Sequence, residues 1–436
     1  MGEQQPALAW MVASLRARQP GSEALTLARH ALLDTAACIV AGRNSGQLSK
    51  LDAMLTASGE AGLGTIALRL GVAAHAHDFD DYEEPASTHP SAVLVPALLA
   101  LASKRAGIPL RDLLAAYIAG YEVILTLGKV LGYSHYMAGW HSTSTLARPG
   151  AAMAAARLLD LDQAETVTAL SIAMTQSAGL KTQFGTDAKA LHAGLSARSG
   201  VEAALLAQAG FTASPEIADA EYGFAALFGT ALSPGWGEVK ASGLPSISDH
   251  PPFVKPSPSC GYTIRPIEAA AKIAAMDGFD AGAIQRITIR MPEPYYRVAG
   301  FRKPGNAHEA RFSTAYCVAV ALADGDVGVA AFEPAALNRS DVRQLMAMVD
   351  VDAYELPANT GDMSPDAPDT VTVALDDGRV LTQTVALARG GPGRLLSGDE
   401  IAFKYAACGG DPRTATALLL ASLDELMDIR TLIEPS

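Results

Sequence analysis

Through residues 5–235 apolar positions recur three and four apart in Ala- and Leu-rich stretches separated by Gly or Pro, a period that predicts consecutive helices. The clearest are 25–40, 92–106 capped by Ser91 and stopped at Gly107, and 110–131 led by Pro109. Asp162 and Glu165 form a capping-box pair that starts a helix through Ala178, and a further helix is expected over 188–208. After residue 245 the period changes. The stretch SISDHPPFVKPSPSCGY is rich in Pro and Ser and reads as a domain crossing. Beyond it, 285–291, 370–375 and 380–387 alternate apolar and polar residues, the last two joined as a hairpin by Asp376-Asp377-Gly378-Arg379. Helical patterns at 311–323 and 340–349 lie between these strands, and from Ser397, with Glu400 three residues on, the chain returns to helix. The expected fold is mainly α: a helical domain over 1–245 with 395–436 packing back on it, and a smaller α+β domain over 246–394.

Composition narrows the function. With 46 Asp and Glu against 33 Lys and Arg the formal charge is −13, a field that repels phosphate backbones and anionic membrane surfaces, so neither nucleic acid nor membrane is an expected partner. The four cysteines, Cys38, Cys260, Cys317 and Cys408, show no paired spacing and read as free thiols of a cytoplasmic protein. The first residues lack the pattern of a secretory signal, and the apolar stretches 92–102 and 113–120 are too short to span a bilayer. There is no phosphate loop, dinucleotide fingerprint or nucleophile elbow.

Chemistry is suggested instead by polar density inside apolar helical sequence. GVAAHAHDFDDYEEPASTHPSA holds His75, His77, Asp78, Asp80, Asp81, Tyr82, Glu83, Glu84 and His89 just before a buried-looking helix. These groups could simply solvate a loop and cap that helix, but carboxylates and imidazoles beside apolar surface also suit proton transfer. His and Asp are metal-ligand types as well, yet no spacing fixes a metal set, and none is assigned. GYSHYMAGWHSTSTLARPG places His141 before a hydroxyl-rich helix start, which could be plain capping, with Arg148 a few residues in, a guanidinium that could receive a carboxylate. In FGTDAKALHAG, Lys189 and His192 lie three apart on one helix face near its start, where a lysine opposes the helix dipole and is a candidate base. KPSPSCGYTIRP sets Lys255, Cys260, Tyr262 and Arg265 at the domain crossing, where ligand clefts are common.

These segments, together with GFTASPEI and EARFSTAYCVAVALADGDVG, closely resemble the MmgE/PrpD family along nearly the whole chain. The resemblance implies a large all-helical domain built from both chain ends, a smaller α+β lid domain, a homodimer, and acid/base chemistry without a cofactor at carbon next to carboxylates. Carried over residue by residue, the family's polar site positions fall on Asp78, His89, His141 and Lys189. Three departures stand out: Tyr82 where many relatives carry Thr, Thr263-Ile264-Arg265 where they carry a His, and Arg148 where they carry a small or aliphatic residue. The lost imidazole departs from the usual dehydratase or decarboxylase constellation, while the added arginines imply a substrate with more carboxylates. The expectation is therefore an isomerase, an epimerase of a small polycarboxylate with iminodisuccinate as the first candidate. In it Lys189 and either Tyr82 or His141 exchange the α-proton, Asp78 and His89 assist, and Arg148, Arg265, His192 and Lys255 bind carboxylates. The alternative is a lyase, either a dehydratase of the 2-methylcitrate type or a decarboxylase of the cis-aconitate type.

Overall fold

The computed structural model describes residues 5–84, 86–105, 107–356, 360 and 363–433. The chain divides into a larger unit of Met1–Ala76, Asp80–Pro252 and Ser397–Ser436, and a smaller one of His77–Phe79 and Phe253–Leu396.

The larger unit is mainly helical; its described residues also form a short antiparallel ladder, Ile108–Pro109 with Leu426–Met427, and isolated bridges at Glu83–Thr88 and Trp140–Leu180. At its centre the helix Ser91–Ala102 is apolar on every side and all twelve of its residues are buried, as a helix without a polar stripe must be. Ser91 is the first residue of this helix and not its cap. Pro90 takes the cap position, and the Ser91 hydroxyl serves Asp81 and Tyr117 instead. The helix stops at Ala102, and Ala106, its expected end, lies outside the described residues. The helix Leu110–Leu131 follows the sequence pattern with Pro109 as its cap, and Gln163–Thr175 carries the anticipated Asp162/Glu165 capping box but ends three residues early. Two helices, Ser22–Gly42 and Leu110–Leu131, are long and apolar enough to cross a membrane, which the shorter apolar runs did not suggest. Their most apolar windows are 72% and 89% buried, as befits core helices.

Glycine sets the closest approach between helices. The helix Leu63–His75 packs against Asp187–Gln208 with Gly71 facing Gly194, where a Cβ on Gly71 would stand 2.7 Å from the Gly194 Cα. This contact draws together the C-terminal end of one helix, which carries His75, and the first two turns of the other, which carry Lys189 and His192. The returning tail closes the unit: Gly398–Ala407, started by the Ser397/Glu400 capping box, lies against Ser22–Gly42. There Lys404 Nζ stands 2.6 Å from the Asp34 carboxylate, both side chains buried, and the Tyr405 hydroxyl donates to the Leu432 carbonyl at 2.9 Å.

The smaller unit is built on a four-stranded sheet in the order Val349–Tyr354, Ile284–Pro292, Asp369–Leu375, Val380–Val385. The first pair is parallel and the other two antiparallel. Ile287, Ile289, Met291, Val371, Val373 and Leu375 alternate onto the buried face, and the helix Ile264–Ala274 packs on the sheet. The strand Val349–Tyr354 begins where helix was expected, because Val-Asp-Val-Asp-Ala-Tyr can also alternate and pairs with Ile287–Pro292. The expected helix 311–323 is two pieces, Ala307–Arg311 and Thr314–Asp324, since the Ser313 hydroxyl accepts from Tyr316 N–H and caps a new helix.

Candidate active site in the helical unit

Three segments bring imidazoles together in the larger unit. His75 closes the helix Leu63–His75, and a turn returns the chain so that the Asp80 carboxylate receives His75 Nδ1 at 2.8 and 3.0 Å. His89 Nδ1 lies 3.2 Å from the same carboxylate and 2.8 Å from the Asp81 carbonyl, and the His75 and His89 ring centroids are 4.5 Å apart. A carbonyl only accepts, so His89 Nδ1 carries a proton. Burial works against the Asp80 charge, but the imidazoles, His75 foremost, outweigh it and hold the carboxyl well below the usual carboxylate range.

The turn between these groups is held from within. Asp81 accepts from the amide and hydroxyl of Ser91, whose oxygen is also 2.7 Å from the Tyr117 hydroxyl. Glu83 is fully buried and accepts from the amides of Ala86 and Thr88 and the Thr88 hydroxyl. Burial pushes Glu83 up to about 7 despite those donors. A carboxyl raised in the folded state contributes stability below its unfolded pKa and loses it as pH rises through the folded value. About 3 kcal/mol of stability is therefore expected to disappear between pH 4.5 and pH 8 through this group. Denaturant midpoints of wild type and Glu83→Gln across that range check it: the difference should move in favour of the variant as pH rises.

His141 precedes the short helix Ser142–Thr145 and is 1% exposed. Its Nδ1 is 2.9 Å from His192 Nδ1, its ring meets Phe184 edge-on at 5.1 Å, and it stacks on His75 at 6.2 Å. Among the described residues no group reaches its buried Nε2, nor the buried Ser142 hydroxyl. Burial first, then Lys189 and the neighbouring imidazoles, hold His141 well below the usual imidazole range, and His192 is lowered to about 4 chiefly by burial. Both rings are thus neutral at pH 7 and share one proton across the Nδ1 to Nδ1 contact. Lys189 lies in the first turn of Asp187–Gln208, 5.3 Å above Phe184, and is buried. Arg148 donates from Nε to the Ser144 carbonyl at 2.9 Å, and burial lowers it to about 10, leaving it a cation at neutral pH.

Sequence reasoning selected His89, His141, Lys189, His192 and Arg148, and the fold gathers all five in this unit. Tyr82 is half-buried in the same acidic loop. Two participants, His75 and Asp80, were noted in the polar segment but given no role. Their only sequence signal is an imidazole on the last position of an apolar helix, followed five residues later by a carboxylate. His75, Asp80 and His89 are metal-ligand types with ligand atoms within 4.8 Å of one another, and the Nδ1 atoms of both imidazoles lie at the Asp80 carboxylate.

Asp78 and Lys255 belong to the smaller unit. Asp78 adopts a left-handed φ of 52°, and Lys255 Nζ donates to its carbonyl at 2.8 Å and stands 3.3 Å from its carboxylate. Arg265 differs from the role expected for it. It is fully buried, with Nε bound to Asp369 at 2.8 Å and Nη1 donating to the carbonyls of Met363, Ser364 and Ala386. That guanidinium ties a helix to a strand end, and its Nη2, which no described group reaches, is buried.

Comparison with known proteins extends this picture. Residues 6–236 match the MmgE/PrpD N-terminal domain and residues 257–416 the MmgE/PrpD C-terminal domain. Among relatives, cis-aconitate decarboxylase of Mus musculus is 31% identical over 361 residues, 77% of this chain and 70% of that protein. The Homo sapiens enzyme of the same name is 31% identical over 359 residues, with the same shares covered. Cis-aconitate decarboxylase of Aspergillus terreus is 27% identical over 389 residues, 82% of this chain and 78% of that protein. Two domain matches in order, together spanning most of the chain, leave one assignment: the protein is a member of the MmgE/PrpD family.

Proposed function

We propose that the protein is a carbon–carbon lyase, a decarboxylase of a small unsaturated tricarboxylate, with cis-aconitate the first compound to test. The observation that carries this reading is a single cluster whose imidazoles stand in different surroundings. His75 and His89 share the Asp80 carboxylate, while His141 is kept neutral with its Nε2 unengaged, and the cations Lys189 and Arg148 stand close by. Environments that separate the pKa values of neighbouring groups separate donor from acceptor.

In such a substrate the carboxylate on the carbon next to the alkene leaves as carbon dioxide. The electrons of the broken bond shift through the double bond, and the far carbon, itself bearing a carboxylate, takes up one proton. His89 supplies that proton, Lys189 and Arg148 balance the carboxylates, and His141 hydrogen-bonds the charge that develops. The epimerase expectation loses support on two counts: Arg265 is spent on Asp369, which removes half of the argument from added arginines, and the relatives named above are decarboxylases.

Incubation of the pure protein with cis-aconitate in deuterium oxide tests the reading. One carbon dioxide and one carbon-bound deuteron per turnover, with a new terminal alkene in the proton spectrum, are expected. Turnover of a 2-methylcitrate-type hydroxy acid with loss of water, or deuterium exchange into iminodisuccinate without carbon dioxide, would replace it with the dehydratase or the epimerase.

A further inference from the structure

Asp80 is completely buried, and among the described residues its carboxylate meets no Lys or Arg. Among the described residues its charge-bearing partners are two imidazoles, His75 Nδ1 at 2.8 Å and His89 Nδ1 at 3.2 Å. An ionised carboxylate removed from water needs a compensating positive charge. The charge has to come from that pair, so one proton beyond the two neutral rings resides on it. His89 Nδ1 is fixed by the Asp81 carbonyl as well, so transfer to a substrate runs through Nε2.

We propose that Asp80 is a positioning residue that keeps one proton on the His75–His89 pair and orients His89 to deliver it to the substrate carbon. The delivery part of this inference rests on the lyase reading above; the holding of the proton does not. The surrounding charges in the helical unit agree with it. Asp81 lies on the same loop and is held by Ser91, with Tyr117 behind it; burial first, then Asp34 and Asp80, raise Asp81, which lessens its competition for the proton. The neutral His141 stacks on His75 at 6.2 Å, His192 lies next to His141, Lys189 and Arg148 act on that second pair of rings, and Lys404 stands 2.6 Å from Asp34. The proton therefore sits where a carboxylate holds it, on His75 and His89, and is kept off His141, where cations and burial oppose it.

The test is a titration of the histidine side chains in the full-length protein, labelled with 15N and assigned by single replacement, beside a pH profile of turnover. In the wild type without substrate, one of His75 and His89 is expected to stay protonated to well above pH 7 while His141 and His192 are neutral throughout. In Asp80→Asn that titration should move down by more than one pH unit. The alkaline limb of kcat should move with it, and kcat at pH 7.5 should fall at least 100-fold with less than a threefold change in KM. Asp80→Glu, which restores the charge, should recover at least a tenth of the wild-type kcat. If both His75 and His89 are neutral at pH 7 in the wild type, the proposal is overturned whether or not the variants fold. An unchanged titration in Asp80→Asn overturns it equally, as does an Asp80→Glu protein no better than the Asn one. Failure to turn over cis-aconitate with the wild-type titration as expected would remove the lyase reading and leave Asp80's hold on the proton standing.

Discussion

His141→Phe is expected to lower kcat about 100- to 10,000-fold while the protein stays folded. The ring is 1% exposed, wedged between Phe184 and His75, so an aromatic replacement keeps most of the packing and removes only the two nitrogens. What is lost is the Nε2 that no described protein group reaches and the proton shared with His192. Removal of a positioned acid/base or charge-stabilising group costs rate on that scale. Steady-state kinetics on the substrate that the wild type turns over, with circular dichroism as the folding control, give the answer. A kcat within threefold of wild type would move the chemistry away from this cluster.

The second large effect concerns stability. Lys404→Met should destabilise the protein by about 3 to 5 kcal/mol, because it strips the ammonium from a carboxylate, Asp34, that has no exposure to water. Burial alone would lower Lys404, but Asp34 more than offsets it and raises the ammonium above its ordinary value. A raised lysine contributes stability at all pH values below its unfolded pKa and loses it only as pH climbs past the folded one, so the wild-type contribution is complete at pH 7. Denaturant midpoints at pH 7 measure the loss. The double variant Asp34→Asn/Lys404→Met should regain more than half of it, since it removes the stranded charge along with its partner. A single variant as stable as wild type would mean that the pair is incidental.

What the sequence disclosed was whatever depends on local pattern. Helix spacing found the core of the larger unit, and the two capping boxes at Asp162 and Ser397 were legible because they need only four consecutive residues. His141 and Lys189 were legible because an ionisable group in an apolar helical setting stands out. Asp80 was lost among the eight carboxylates and imidazoles from His75 to His89. Only the turn through Asp78, with its left-handed backbone, decides which of them doubles back onto His75. Arg265 was misjudged for a related reason: its partner Asp369 is 104 residues away, at the start of a strand, and no spacing announces such a pair. The strand Val349–Tyr354 was missed because its neighbour, Ile284–Pro292, supplies a parallel pairing that the short segment cannot reveal by itself.

The tail that completes the helical unit bears on how this protein comes into being on the ribosome. Asp34 emerges early, yet the lysine that neutralises it and the strand that pairs with Ile108–Pro109 arrive some 300 or more residues later, after the whole smaller unit has been made. Until then the N-terminal helices must wait with an uncovered apolar face, a state that exposes nascent chains to aggregation. Production of this protein thus depends on what shelters its first half during synthesis as much as on the stability of the finished fold, and a premature stop anywhere before Lys404 leaves a chain that has no way to close.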